Sequence, residues 1–158
     1  MSNKGKITEN FTWEEAQHTT YDINNVITDE EIMKNVRQVA ESIMQPLRNY
    51  LGKPITVTSW YRSPQLNAKV GGSKSSSHMV GEAVDFQCND LLEAFDFIRT
   101  NLLFDQLIWE VKGDKRWVHV SYKRLGKNRN QVLVASYNKQ IQKWSYSPYG
   151  KVKPIIRG

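Results

Sequence analysis

The sequence predicts one α+β domain, with helices near its start and a mostly antiparallel sheet after them. Three observations carry this. The first fifty residues place apolar side chains at helical spacing behind two capping motifs. β-branched and aromatic runs of strand length follow. Two of those runs are joined by a short polar link containing Gly, the signal of a hairpin. A chain of 158 residues fits a single domain able to bury its own core.

The elements follow in order. Thr12-Trp13-Glu14-Glu15 sets a Thr three residues ahead of a Glu, a capping box on a short helix, with Phe11 placed as a staple. Thr28-Asp29-Glu30-Glu31 reads as a second box. It opens a longer helix whose apolar positions are Ile32, Val36, Val39, Ala40, Ile43, Leu47 and Leu51. Pro46 inside that pattern predicts a kink or a break near Met44, and Gly52 predicts the stop. Pro54 to Tyr61 reads as a strand. Ser63-Pro64 supplies an N-cap and a first-turn Pro for a short helix ending at Gly71-Gly72, before a small-residue loop from Ser73 to Ser77. Ala83 to Gln87 reads as a strand, and Asn89 or Asp90 caps a helix from Leu91 to Leu102.

Phe104 to Val111 and Trp117 to Tyr122 form the hairpin across Lys112-Gly113-Asp114-Lys115. Directly paired residues share a face. Pairing Glu110 with Trp117 therefore sets His119 opposite Ile108 and puts Glu110 and His119 on one side, unless a bulge intervenes. After Tyr122 the chain turns basic and polar, and Val132-Leu133-Val134 is its one remaining apolar run. We expect residues 1–125 to form the domain proper and 126–158 a basic extension packed on it.

Composition excludes several classes. The single cysteine, Cys88, rules out an internal disulfide framework and a Cys-rich zinc module. No apolar run approaches the ~18 residues of a membrane span. The polar N-terminus gives the expectation of no signal peptide and of synthesis in the cytoplasm. The net charge of +6 permits a polyanionic partner without choosing one.

His78 follows the Ser-rich loop, Asp85 comes seven residues later on a strand, and His119 lies in mid-strand. Two imidazoles and a carboxylate suit a hydrolytic zinc ion with water in the open position. The same set suits non-haem iron, whose carboxylate usually follows the first His closely; the wider gap leans toward zinc. Taken singly, each His reads more readily as a hydrogen-bonded core residue than as a ligand. His18 reads as exposed and Cys88 as a small buried residue. Lys123, Arg124, Lys127 and Arg129 read as a solvated basic loop, with an anionic polymer as the alternative ligand.

Five segments occur in a telling order. They are Ser59-Trp60-Tyr61-Arg62-Ser63-Pro64; Leu66-Asn67 with Val70-Gly71-Gly72-Ser73; Ser76-Ser77-His78-Met79-Val80-Gly81-Glu82-Ala83-Val84-Asp85-Phe86; Phe104-Asp105-Gln106-Leu107-Ile108-Trp109-Glu110; and Trp117-Val118-His119-Val120-Ser121-Tyr122. From about Asn10 to Asn130 the chain resembles the zinc D-alanyl-D-alanine carboxypeptidase family of peptidoglycan peptidases. That family shares its fold with the hedgehog signalling domain, and the similarity is to its small single-domain branch in bacteriophages and bacteria.

The resemblance implies a small antiparallel sheet with helices on one face and a zinc cleft on the other. It implies Zn2+ held by His78, Asp85 and His119. Glu110 is implied as general base and acid, Arg62 as a catalytic residue that holds a carboxylate or oxyanion, and Ser76 as a substrate hydrogen-bonder. Trp60 stands where many relatives carry Gly, and is expected to narrow the cleft and touch substrate. Ser77 stands where many carry Gln. In some branches the acid lies three residues before the last ligand; Arg116 is there in this chain and cannot be a base. Asp114 falls in the turn, so Glu110 is the candidate.

The implied activity is hydrolysis of amide bonds in the peptidoglycan stem peptide or cross-bridge, as in a phage endolysin. The alternatives are a carboxypeptidase or dipeptidase trimming terminal D-Ala, and a non-catalytic zinc module. The expected partner is the stem peptide, with no nucleic acid and no membrane span. The expected state is a monomer acting at the bacterial cell wall, phage-encoded or exported by another route.

Overall fold

Both capping motifs start helices in the computed structural model, which describes residues 3–149. The Thr12 hydroxyl accepts from the Glu15 amide at 3.2 Å, and the Glu15 carboxylate accepts from the Thr12 amide at 2.9 Å. This box opens α1 (Trp13–Gln17) behind two short strands, β1 (Lys6–Thr8) and β2 (Phe11–Thr12), which pair with each other. At the second motif the cap is Asp29, not Thr28. Its carboxylate accepts from the amides of Glu31 and Ile32, at 2.8 and 3.1 Å, at the positive end of the helix dipole.

α2 (Glu30–Val39) runs through a π-helical segment, Ala40–Met44, into α3 (Gln45–Leu51), which ends at Gly52. Pro46 has no N–H to give the preceding turn, and the ladder widens just ahead of it instead of breaking.

The remaining elements are β3 (Thr56–Ser59), α4 (Pro64–Lys69), a 3-10 turn (Ser77–Val80), β4 (Ala83–Gln87), α5 (Leu91–Asn101), β5 (Gln106–Lys112), β6 (Lys115–Ser121), β7 (Gln131–Asn138) and β8 (Lys143–Pro148). The strand expected over Pro54 to Tyr61 shortens to β3, because its far end bonds elsewhere. The Tyr61 amide donates to the Ala16 carbonyl and the Arg62 amide to the His78 carbonyl.

Six strands form one sheet in the order β3-β4-β6-β5-β7-β8. Every pair is antiparallel except β5–β7, which is parallel. The link after β6 returns the chain to the start of β5: Asn130 bonds to Phe104 and Gln131 to Asp105, so β7 sets off alongside β5 in the same direction. Residues from 126 onward, expected as an extension, thus supply two strands to the main sheet; residues 150–158 of that stretch lie outside the described residues.

The alternation along the strands separates two faces. Val84, Phe86, Leu107, Val118 and Val120 are fully buried in the core with Val36 and Val39 of α2 and Phe95 and Ile98 of α5. The opposite residues of the same strands, Asp85, His119, Ile108 and Glu110, face a cleft. No helix among the described residues is long and apolar enough to cross a membrane.

Candidate metal centre

The register builds the site. Asp85 on β4 pairs with His119 on β6, His119 pairs with Ile108 on β5, and Glu110 pairs with Trp117 two residues along. The expected hairpin pairing is the one found. Asp85, His119, Glu110 and Trp117 therefore line the same cleft, of about 720 Å3.

His78 arrives from the 3-10 turn. The Ser76 hydroxyl caps that turn by accepting from the His78 amide at 3.2 Å. Gly81 ends it at φ 74°, where an added Cβ would stand 2.8 Å from a Val36 methyl carbon; only glycine fits both the backbone and the close approach to α2. His78 is buried, and its Nδ1 lies 2.6 Å from the Trp60 carbonyl oxygen. Nδ1–H donating there leaves Nε2 to face the cleft as a ligand atom.

Three donor atoms then converge. Asp85 Oδ1 is 3.3 Å from His78 Nε2 and 2.9 Å from His119 Nδ1. Tetrahedral donors at zinc–ligand distances of 2.0–2.1 Å stand about 3.3–3.4 Å apart, so this set fits zinc with a small outward movement of His119. Among the described residues it is the group of His, Cys and acidic side chains arranged to hold a metal ion.

Electrostatics suit a cation. Burial would raise the Asp85 carboxyl, but the imidazoles of His78 and His119 outweigh it and hold the group well below the usual carboxylate range. Burial pushes His78 down, against the pull of Asp85, toward the neutral form a metal needs. For His119 burial also acts downward, but its hydrogen bond to Asp85 wins and raises it. Burial and the Asp85 charge push Glu110 up to about 7, while Trp117 Nε1–H donates to its carboxylate at 2.5 Å.

Arg62 is held on three sides. Its Nε donates to the Ser59 hydroxyl at 3.0 Å, Nη1 to the Asn67 side-chain oxygen at 3.2 Å, and Nη2 to Asp85 Oδ2 at 3.5 Å. Two N–H groups of the fork remain for a ligand. Asn67 is buried and donates to the Ser73 carbonyl, which ties Arg62 to the Ser-rich loop.

Not every expected site residue lines the cleft. Arg62, Ser76, His78, Asp85, Glu110 and His119 do. Trp60 does not: its side chain is 1% exposed and packs edge-on against Phe11 in the core, so only its carbonyl serves the site. Asp114 and Arg116 sit exposed at the hairpin turn. His18 is exposed, and burial raises the half-buried Cys88 thiol. Three of the four basic loop residues are engaged internally, Arg124 with Glu31 and both Lys123 and Arg129 with Asp105.

The cleft also holds residues the sequence reading did not place in the site: Leu133, Trp144 and Tyr146 from β7 and β8. The alternation of Trp144, Tyr146 and Pro148 with polar residues is the period-two signal that marks them.

A family model described as peptidase M15 matches residues 9–121. No curated protein matches the chain.

Proposed function

The chain belongs to the peptidase M15 family of zinc-dependent metallopeptidases, and from that premise we propose that it hydrolyses an amide bond in the peptide part of peptidoglycan. The observation that carries this reading is the convergence of His78, Asp85 and His119 donor atoms in a cleft that Glu110 and Arg62 also face.

His78, Asp85 and His119 would hold the ion. When bound, zinc supplies a Lewis acid for the scissile carbonyl and lowers the pKa of water to about 7. Glu110 takes the proton from the attacking water and passes it to the leaving amine, a task suited to a carboxyl poised near neutrality. Arg62 directs its free N–H groups at the oxygen where negative charge gathers. Trp117 fixes the Glu110 carboxylate, and Ser76 holds the turn that presents His78.

We place the action at the bacterial wall, with lysis of the endolysin kind as its setting. The net charge of +6 favours approach to anionic wall polymers. A second reading, removal of a terminal D-Ala, is favoured by the Arg62 fork, which suits a terminal carboxylate. Masses of the products from digested muropeptides, with and without chelator, test both. Chelator-sensitive cuts within the stem or bridge are expected. Loss of a single terminal residue selects the second reading, and zinc content without turnover overturns both.

A further inference from the structure

The family match ends at Ser121, but the cleft does not. Beyond Glu110 its lining continues onto β7 and β8 through Leu133, Trp144 and Tyr146. Glu110, Ala135 and Tyr146 stand side by side on three neighbouring strands, because Glu110 pairs with Ala135 and Ala135 with Tyr146. Ala135 is fully buried and offers only a methyl group, so no tall side chain in that row separates the acid from the phenol. Trp144 packs edge-on against Trp117 at 5.9 Å, joining the hairpin to the residue that holds Glu110. Tyr146 is 56% exposed, and its hydroxyl has no hydrogen-bond partner among the described residues. Partial desolvation raises that hydroxyl, and the Glu110 and Asp85 charges push it the same way.

Direction follows from chemistry. Glu110 must reach the leaving nitrogen, so the amine side of the cut bond lies toward Glu110. β7 and β8 continue on that side, away from β4 and Arg62. We propose that Tyr146, supported by Trp144, is a specificity-determining residue that binds substrate residues on the amine side of the cleaved bond. The aromatic face takes their methyl and methylene groups, and the hydroxyl donates to a backbone carbonyl or carboxylate. This inference rests on the first reading above, a cut within the stem or bridge, and adds to it a requirement for peptide continuing past the cut.

The test uses the full-length zinc-loaded protein and two substrates: the wall peptide that the wild type cleaves, and the same peptide shortened to one residue beyond the cut bond. Tyr146→Ala should raise KM about tenfold on the longer peptide with kcat little changed, and shift kcat/KM on the shorter one less than about twofold. Tyr146→Phe should fall between, and it retains the packing should the Ala variant prove unstable. Zinc content and Tm should match the wild type. Equal losses on both peptides, or no loss on either, overturn the proposal while leaving the peptidase reading intact. A wild type that turns over no wall peptide overturns the peptidase reading and this one with it.

Discussion

Trp117 and Glu110 are direct partners across the β5–β6 hairpin, and the Trp117 indole N–H donates to the Glu110 carboxylate at 2.5 Å. The bond favours the charged carboxylate, against burial and the Asp85 charge, which raise it. A general base works only when deprotonated, so kcat/KM should fall as pH drops through the Glu110 pKa. Bound zinc adds positive charge and sets that limb at or below about 7. Trp117→Phe removes the donor. The acidic limb should move to higher pH, and activity on that limb should fall about tenfold. A pH profile of kcat/KM checks this; an unmoved limb contradicts it.

The three converging donors make a prediction about metal. His78→Ala, Asp85→Ala and His119→Ala should each lose most of the zinc that survives dialysis of the wild type, by metal analysis. Chelation of the wild type should lower Tm, because an ion that binds only the folded state stabilises it. Wild-type zinc content in any one variant removes that residue from the ligand set.

Gly72 is required by close approach. A Cβ there would lie 2.1 Å from Asn67 Oδ1 and 3.0 Å from Arg62 Nη1. Gly72→Ala should therefore displace the Arg62 fork while leaving the ligands in place. The expected result is full zinc content with kcat reduced about 100-fold, the usual consequence of misplacing a catalytic group by an ångström. An unchanged kcat would remove Arg62 from catalysis.

Asp105 anchors the start of β7. Its buried carboxylate accepts from Arg129 Nε at 2.9 Å, Nη2 at 2.8 Å and the Arg129 amide at 3.2 Å. Asp105→Ala should cost about 1–2 kcal/mol by denaturant titration, the Arg129 partner being half-exposed and screened. The Arg129 bonds hold this carboxyl below its ordinary value. Its stabilisation is therefore present above the unfolded-state pKa and lost as pH falls through the folded one.

Local spacing predicted the parts that local physics controls. The Thr12–Glu15 box, the α4 cap at Ser63 and the Glu110–Trp117 register all depend on residues a few positions apart. Asp29 was missed as the cap because the Thr28-x-x-Glu31 spacing satisfies the box motif, whereas the Asp29 carboxylate caps by accepting two amides without a box partner. The Trp60 side chain was misplaced because strand alternation does not say which face is core; Phe11, far away in sequence, decides it. β7 and β8 were read as an extension because a parallel pairing with β5 leaves no turn signal. The Asn67–Arg62–Ser59 support was likewise invisible, being a matter of side-chain reach.

In the proposed reaction His78, Asp85 and His119 hold zinc while Glu110 moves the proton. Zinc content and turnover on purified peptidoglycan, measured together on Glu110→Ala, test it most directly. The expected result is wild-type zinc with activity reduced about 100-fold or more. Full activity in that variant would contradict it.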